Sequence, residues 1–187
     1  MTKITGVDMP RKRNVGMGLS ISQGDELKIL RQIVDITSSE MDLARTLKEV
    51  VGIVNEATRA DSVFIYLFDE RKENLTLMAS KLPHKRMLGH LVLKVGEGIT
   101  GWVAKENKPV AINENAYQDA RFKNFDVLPE DQYEAFLSVP IIYKGKAIGV
   151  INVQHKKPHD YSSQTVTLIC TIAKQVGGVI EHAVLYE

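Results

Sequence analysis

"LVLKVGEGITGWVA", residues 91–104, decides how this chain is read. Gly96, Gly98 and Gly101 stand in GxGxxG spacing, after an apolar stretch that reads as a strand and before one that opens a helix. That is the context of a dinucleotide-binding turn, and Glu114, 18 residues past Gly96, falls near the ~20 expected for a ribose-binding acid. The flanks oppose that reading. "ITGWVAKEN" is too short for the helix of a parallel crossover. The preceding strand alternates instead of running continuously apolar, and no further strand–helix units follow to build a parallel sheet. The glycines suit a tight turn with positive φ and a short helix held close to a sheet, with Trp102 and Val103 packing it down. The unpaired N–H groups of such a helix start can still meet an anionic ligand, so Gly96, Glu97, Gly98, Ile99 and Thr100 stay candidate ligand-binding residues.

Upstream, Ser22 and Asp25 form a capping-box-like start. Leu27, Leu30, Ile33, Val34 and Thr37 follow at helical spacing, and Ser38-Ser39 interrupts. Asp42 can cap a second helix striped by Leu43, Leu47, Val50, Val51 and Val54. "SVFIYLFD" (62–69) then reads as a central strand buried on both faces. "NLTLMAS" (74–80) alternates, with Leu75, Leu77 and Ala79 on one side, as does "HLVLKV" (90–95) with Leu91, Leu93 and Val95.

Downstream, the short helix runs to about Asn107 and "PVAI" (109–112) is a strand. Asn113–Gln132 is polar and long for a connection in a compact domain, as lids and binding loops are. Residues 134–155 read as two strands joined at Lys144-Gly145-Lys146, with Pro140 marking an edge or a local bulge. Ser162 caps a last helix carrying Leu168, Ile169, Ile172, Val176, Ile180 and Val184, which reaches Glu187 with no Gly or Pro stop. Helices at both ends with strands between them indicate an α+β fold with an antiparallel sheet.

The bulk numbers narrow the function. The chain has 187 residues, enough for one sizeable domain, and 44% are hydrophobic. Twenty-four basic residues against 23 acidic ones give net +1, so no global field points to nucleic acid or to an anionic membrane. Residues 1–22, with Arg11-Lys12-Arg13, read as a disordered leader, leaving 23–187 as one domain. No apolar run approaches a membrane span of ~20 residues, and no secretory signal is present. Cys170, the single cysteine, excludes an internal disulfide and fits a reducing, cytoplasmic setting.

Taken in order, "VGEGITGWVA", "NKPVAI", "DARF" and "FLSVPIIYKGKAIGVINVQ" resemble the GAF domain family over about residues 25–185. The narrower likeness, in "ARFKNF", "YEAFLSVPI" and "VINVQ", is to bacterial GAF regions of nitrogen-type phosphoenolpyruvate-protein phosphotransferases and sigma-54-dependent activators. The resemblance implies a PAS-like antiparallel sheet of about six strands. Terminal helices cover one face, and the glycine loop, short helix and long lid loop form a pocket on the other. GAF domains bind cyclic nucleotides, tetrapyrroles, other metabolites or nothing known, and many dimerise through their terminal helices, so fold alone does not settle function.

The subtypes are tested by residues. The cyclic-nucleotide N-K…F-x3-D-E motif belongs after the "IGV" strand, where this chain has His155-Lys156, Tyr161, Thr165 and Val166. Its asparagine and both acids are missing. Cys170 sits among apolar neighbours, unlike a bilin-linking thiol, and one cysteine cannot run a methionine-sulfoxide-reducing cycle. His155 and His159 cannot share a regular helix across Pro158, so they read as solvated or hydrogen-bonded, as do His84 and His90. No metal ligands, cofactor or catalytic constellation are indicated, and no kinase, helix-turn-helix or phosphotransfer motif is present. Asp119 and Arg121 either orient a ligand or pair with each other. Phe122, Phe125, Tyr133 and Phe136 line a pocket or form the core of a lid.

The expectation is a sensory or regulatory module, not an enzyme, taking an unidentified small molecule at Gly96, Glu97, Gly98, Ile99, Thr100, Asp119, Arg121 and Phe136. Lid closure would shift the terminal helices. The alternative is a dimerisation module with a collapsed pocket, its homodimer built on helices 25–38 and 162–186, where Gly177-Gly178 leaves room for close helix approach. The uncapped "AVLYE" end fits either truncation or a frayed terminus.

Overall fold

The computed structural model describes residues 23–37, 42–81, 87–123 and 133–186. The leader, the Ser22–Asp25 cap, Ser38-Ser39, His84 and Phe125 therefore lie outside the described residues. Six antiparallel strands form one sheet in the order β3-β2-β1-β6-β5-β4. They are β1 (Ser62–Phe68), β2 (Asn74–Ser80), β3 (Val92–Lys94), β4 (Val110–Ile112), β5 (Ala135–Tyr143) and β6 (Lys146–His155). Helices α1 (Gln23–Thr37), α2 (Leu43–Thr58) and α4 (Ser163–Tyr186) flank them, and α3 (Gly98–Glu106) lies between β3 and β4.

The two faces of the sheet carry two cores, because successive side chains of a strand point opposite ways. From β1, Val63, Ile65 and Leu67 join Leu137, Val139, Ile151 and Val153 beneath α1, α2 and α4. Phe64 and Tyr66 point the other way, to Leu75, Leu77, Leu93, Phe136 and Val150 beneath α3, whose Ile99, Val103 and Ala104 face them. This is the α+β architecture expected, with β1 and β6 central and buried on both sides.

Three local readings change. On β2, Leu75 and Leu77 face α3, but Ala79 joins the opposite core. A register shift between Ile65 and Tyr66 leaves Met78 as an extra residue, and one extra residue inverts every side chain beyond it. On α1 the buried stripe is Ile29, Ile33 and Ile36, whereas Leu27 and Val34 are exposed, as is Val184 on α4. Last, the room at Gly177 is filled within the chain. A Cβ there would come 3.0 Å from the Ile142 carbonyl carbon, so α4 already rests on β5.

Turn chemistry matches the sequence elsewhere. Lys144 (φ 47°) and Gly145 (φ 79°) close the β5–β6 hairpin as a two-residue turn with both φ positive. β5 is irregular between Ile141 and Ile142, and β4 pairs only with Phe136–Ser138, so no neighbour asks Pro140 for an N–H on that side. Asp42 Oδ1 accepts the Arg45 N–H at 2.7 Å, and Ser162 Oγ accepts the Thr165 N–H at 3.1 Å. Among the described residues no helix is long and apolar enough to cross a membrane.

Candidate ligand pocket

The glycine loop builds one wall. Gly96 and Gly98 have φ of 86° and 68°, a region closed to most side chains. Gly101 serves proximity: a Cβ on it would sit 2.5 Å from the Lys94 carbonyl oxygen, so only glycine lets α3 turn back onto the end of β3. The Glu97 N–H donates to Lys94 O, and the Glu97 carboxylate accepts the Lys94 N–H at 2.9 Å. An ionic contact also joins that carboxylate to Lys123, and the bond from the Lys123 side chain holds Glu97 below the usual carboxylate range.

The segment after β4 folds over this wall. Asp119 and Arg121 pair with each other: Asp119 accepts from Arg121 Nε and Nη2, both at 2.9 Å, and from the Arg121 N–H. Those hydrogen bonds, the side-chain bond from Arg121 first, lower the Asp119 carboxyl from its ordinary value. The Arg121 guanidinium lies 4.8 Å above the Trp102 ring of α3. Of the two roles open to this pair in the sequence, mutual pairing is the one adopted, and it pins residues 119–123 to α3.

Between this cover and the sheet lies a pocket with about 580 Å3 of free space out to its mouth. The centre of a water-sized sphere can occupy about 50 Å3 of it. Of the eight candidates, Glu97, Gly98, Ile99, Thr100 and Phe136 line the pocket, whereas Gly96, Asp119 and Arg121 do not. Phe64, Tyr66 and Leu93 complete the floor with Asn152 and Gln154, and Phe122, Lys123 and Tyr133 complete the cover.

Two polar groups of this floor were legible and went unused. "VINVQH" places Asn152 and Gln154 two apart on one face of an apolar central strand, where a polar side chain is costly unless it is bonded. Ser138 Oγ donates to Asn152 Oδ1 at 2.8 Å, and Asn152 Nδ2 donates to Thr100 Oγ1 at 2.7 Å. That buried chain ties β5 and β6 to the first turn of α3. Gln154 Oε1 is buried with no hydrogen-bond partner among the described residues. Burial also raises the Tyr66 hydroxyl well above the ordinary tyrosine range, and the adjacent Tyr133 adds to the shift, so Tyr66 stays neutral.

Outside the pocket, His155 and His159 stack with centroids 3.8 Å apart. The His155 ring nitrogens meet the Tyr161 hydroxyl at 2.9 Å and the Thr58 carbonyl at 3.2 Å, so this is a hydrogen-bonded core histidine. Burial, and next the His159 ring, lower its pKa to about 4. Burial pushes the Cys170 thiol up to about 11. Among the described residues no group of three or more His, Cys, Asp or Glu is placed to hold a metal ion.

Over 156 residues the chain is 28% identical to the phosphoenolpyruvate-dependent phosphotransferase system protein of Escherichia coli (strain K12), covering 83% of this chain and 21% of that protein. It is 24% identical over 159 residues to the Nif-specific regulatory protein of Herbaspirillum seropedicae, covering 83% and 29%. The chain thus spans less than a third of the length of these curated relatives. The crystal structure of the GAF domain from an Acinetobacter phosphoenolpyruvate-protein phosphotransferase superimposes with a TM-score of 0.79 at 32% identity, covering 89% of this chain and 98% of that one. A free methionine-R-sulfoxide reductase from Neisseria meningitidis, at 19% identity and a TM-score of 0.72, shares the fold alone over 92% and 99% of the two chains. The GAF domain family model matches residues 40–181, so with its six-stranded sheet and covered pocket the chain belongs to the GAF domain family.

Proposed function

We propose that this domain is a sensory module of a bacterial, cytoplasmic regulatory protein, in which a small molecule enters between the sheet and the α3 cover and biases the terminal helices. The observation that carries the reading is the pocket itself, with a buried acceptor on Gln154 waiting inside it. The route outward is short. Asn152 lines the pocket and holds Ser138 behind it, while the adjacent Leu137, Val139, Ile151 and Val153 pack in the core under α4. A ligand that prefers one arrangement of the cover shifts the population without covalent chemistry. The reading is non-catalytic: the one thiol is half-buried and held protonated at neutral pH, and His155 is hydrogen-bonded in the core with His159 stacked on it.

A thermal-shift screen against a metabolite panel tests it. A ligand at 100 times its Kd adds about 2.7 kcal/mol, or roughly 5–10 °C at the ~2–4 °C per kcal/mol of a domain this size. No shift across the panel, together with a crystal structure whose pocket is filled by side chains, refutes the reading. A second reading, a homodimer through the terminal helices, is favoured by the exposure of Leu27, Val34 and Val184 on α1 and α4. A monomeric mass by light scattering at working concentration counts against it.

A further inference from the structure

We propose that the pocket takes an uncharged, single-ring ligand whose edge carries an N–H donor beside a carbonyl, as lactam and pyrimidine-type rings do. The proposal rests on the small-molecule reading above and names the chemistry of the ligand.

Gln154 sets the edge. Its side chain lines the pocket, the residue is 7% exposed, and its Oε1 is a buried acceptor without a partner among the described residues. Leaving such a group unmet is costly. A primary amide presents an acceptor and a donor side by side, so its best partner presents the complementary pair. Asn152, its neighbour on the same face, cannot serve, because both ends of its amide are engaged by Ser138 and Thr100.

Charge and size set the rest. Glu97 and Lys123, the ionic groups of the lining, are paired with each other, and Tyr66 is held neutral. A carboxylate or phosphate entering the pocket would find no opposite charge left over among the described residues of its lining, and burying one unmatched is expensive. Phe64 and Phe136 on the floor and Phe122 in the cover offer flat apolar surface to a ring. The interior offers about 50 Å3 to the centres of water-sized spheres, so several waters' worth of space is open to a ligand. A single six-membered ring is of the size this interior admits.

The test is titration of the full chain with uracil, 1,3-dimethyluracil and orotate by calorimetry, with NMR of the Gln154 side-chain amide. Uracil is expected to bind and to shift that amide. Dimethyluracil lacks the N–H, and orotate keeps the edge but adds a carboxylate; each is expected to bind at least about tenfold more weakly. Gln154→Leu is expected to erase uracil's advantage, but the ranking needs no variant and stands even if that one misfolds. Equal binding of the three, or a preference for orotate, overturns the proposal. Pyruvate, alanine and glycerol phosphate form a second arm. If one of these binds at Gln154 and uracil does not, the ligand class falls and the small-molecule reading stands. If no probe in either arm binds, the proposal falls, and the metabolite panel then decides the broader reading.

Discussion

Gly177 and Gly178 are neighbours on α4, and alanine at each should move stability in opposite directions. In a helix interior, glycine to alanine contributes about 0.8–1.0 kcal/mol of stabilisation through backbone entropy alone. At Gly178 the new methyl would find the Tyr143 ring at 3.8 Å, an ordinary contact, so Gly178→Ala should stabilise by about 0.5–1 kcal/mol. At Gly177 it would lie 3.0 Å from the Ile142 carbonyl carbon and nearer still to its oxygen, against the 3.4 Å at which ordinary contact begins. Both atoms are backbone of β5, which cannot swing aside like a side chain, so α4 must lift from the sheet. Overpacking of this kind costs about 1–3 kcal/mol, occasionally more, and exceeds the helical gain. Gly177→Ala should therefore lose about 1–2 kcal/mol net. Gly52→Ala on α2, with nothing within 4 Å, is the control and should gain about 0.8–1.0 kcal/mol. Urea melts with a shared slope report the differences directly. If Gly177→Ala proves as stable as the parent while Gly178→Ala gains nothing, the described seat of α4 on β5 is wrong. The route by which the pocket is proposed to reach that helix would then go with it.

Three further outcomes follow from named contacts. The folded pKa of His155, about 4, lies below the 6.5 of the free side chain, so the unfolded chain binds the extra proton between those values. Stability should rise with pH from about 4 to 6.5 and level off above, by no more than about 2 kcal/mol once screening is allowed for. An imidazole NMR titration of His155 centred near 6.5 would contradict this. Asn152→Leu strands the Ser138 and Thr100 hydroxyls and should cost about 2–3 kcal/mol in urea melts, and a loss under about 0.5 would show that the chain contributes little. Arg121→Ala should deprotect the amides of residues 116–123 in hydrogen exchange while changing global stability by only about 1 kcal/mol. Unchanged protection would mean the cover is held by something else.

Much of the site could be read in the chain, and the rest failed for identifiable reasons. The glycine loop was visible because Gly96, Gly98 and Gly101 meet backbone requirements that other residues meet poorly or not at all. Asp119 and Arg121 were ambiguous because a carboxylate and a guanidinium two residues apart can pair or reach outward equally well in sequence terms. Only the Trp102 face, brought over from α3, shows where the guanidinium goes. Asn152 and Gln154 were missed because the reading of β6 followed its apolar letters and not its polar exceptions.

By itself the sequence determined the elements, their order and the antiparallel α+β class, because periodicity, caps and turn residues are local properties of a chain. It also determined that no nucleotide-binding crossover follows the glycine loop, since the helix after it is too short. Only the tertiary structure decided which of two apolar stripes on α1 is buried, on which side of the sheet Ala79 falls, and that Gly177 serves β5. Each of these depends on an element distant in sequence supplying the surface, the register or the contact. The pocket is of the same kind: its walls come from β1, α3, β5 and β6, and the unmet amide of Gln154 has meaning only once they have closed around it.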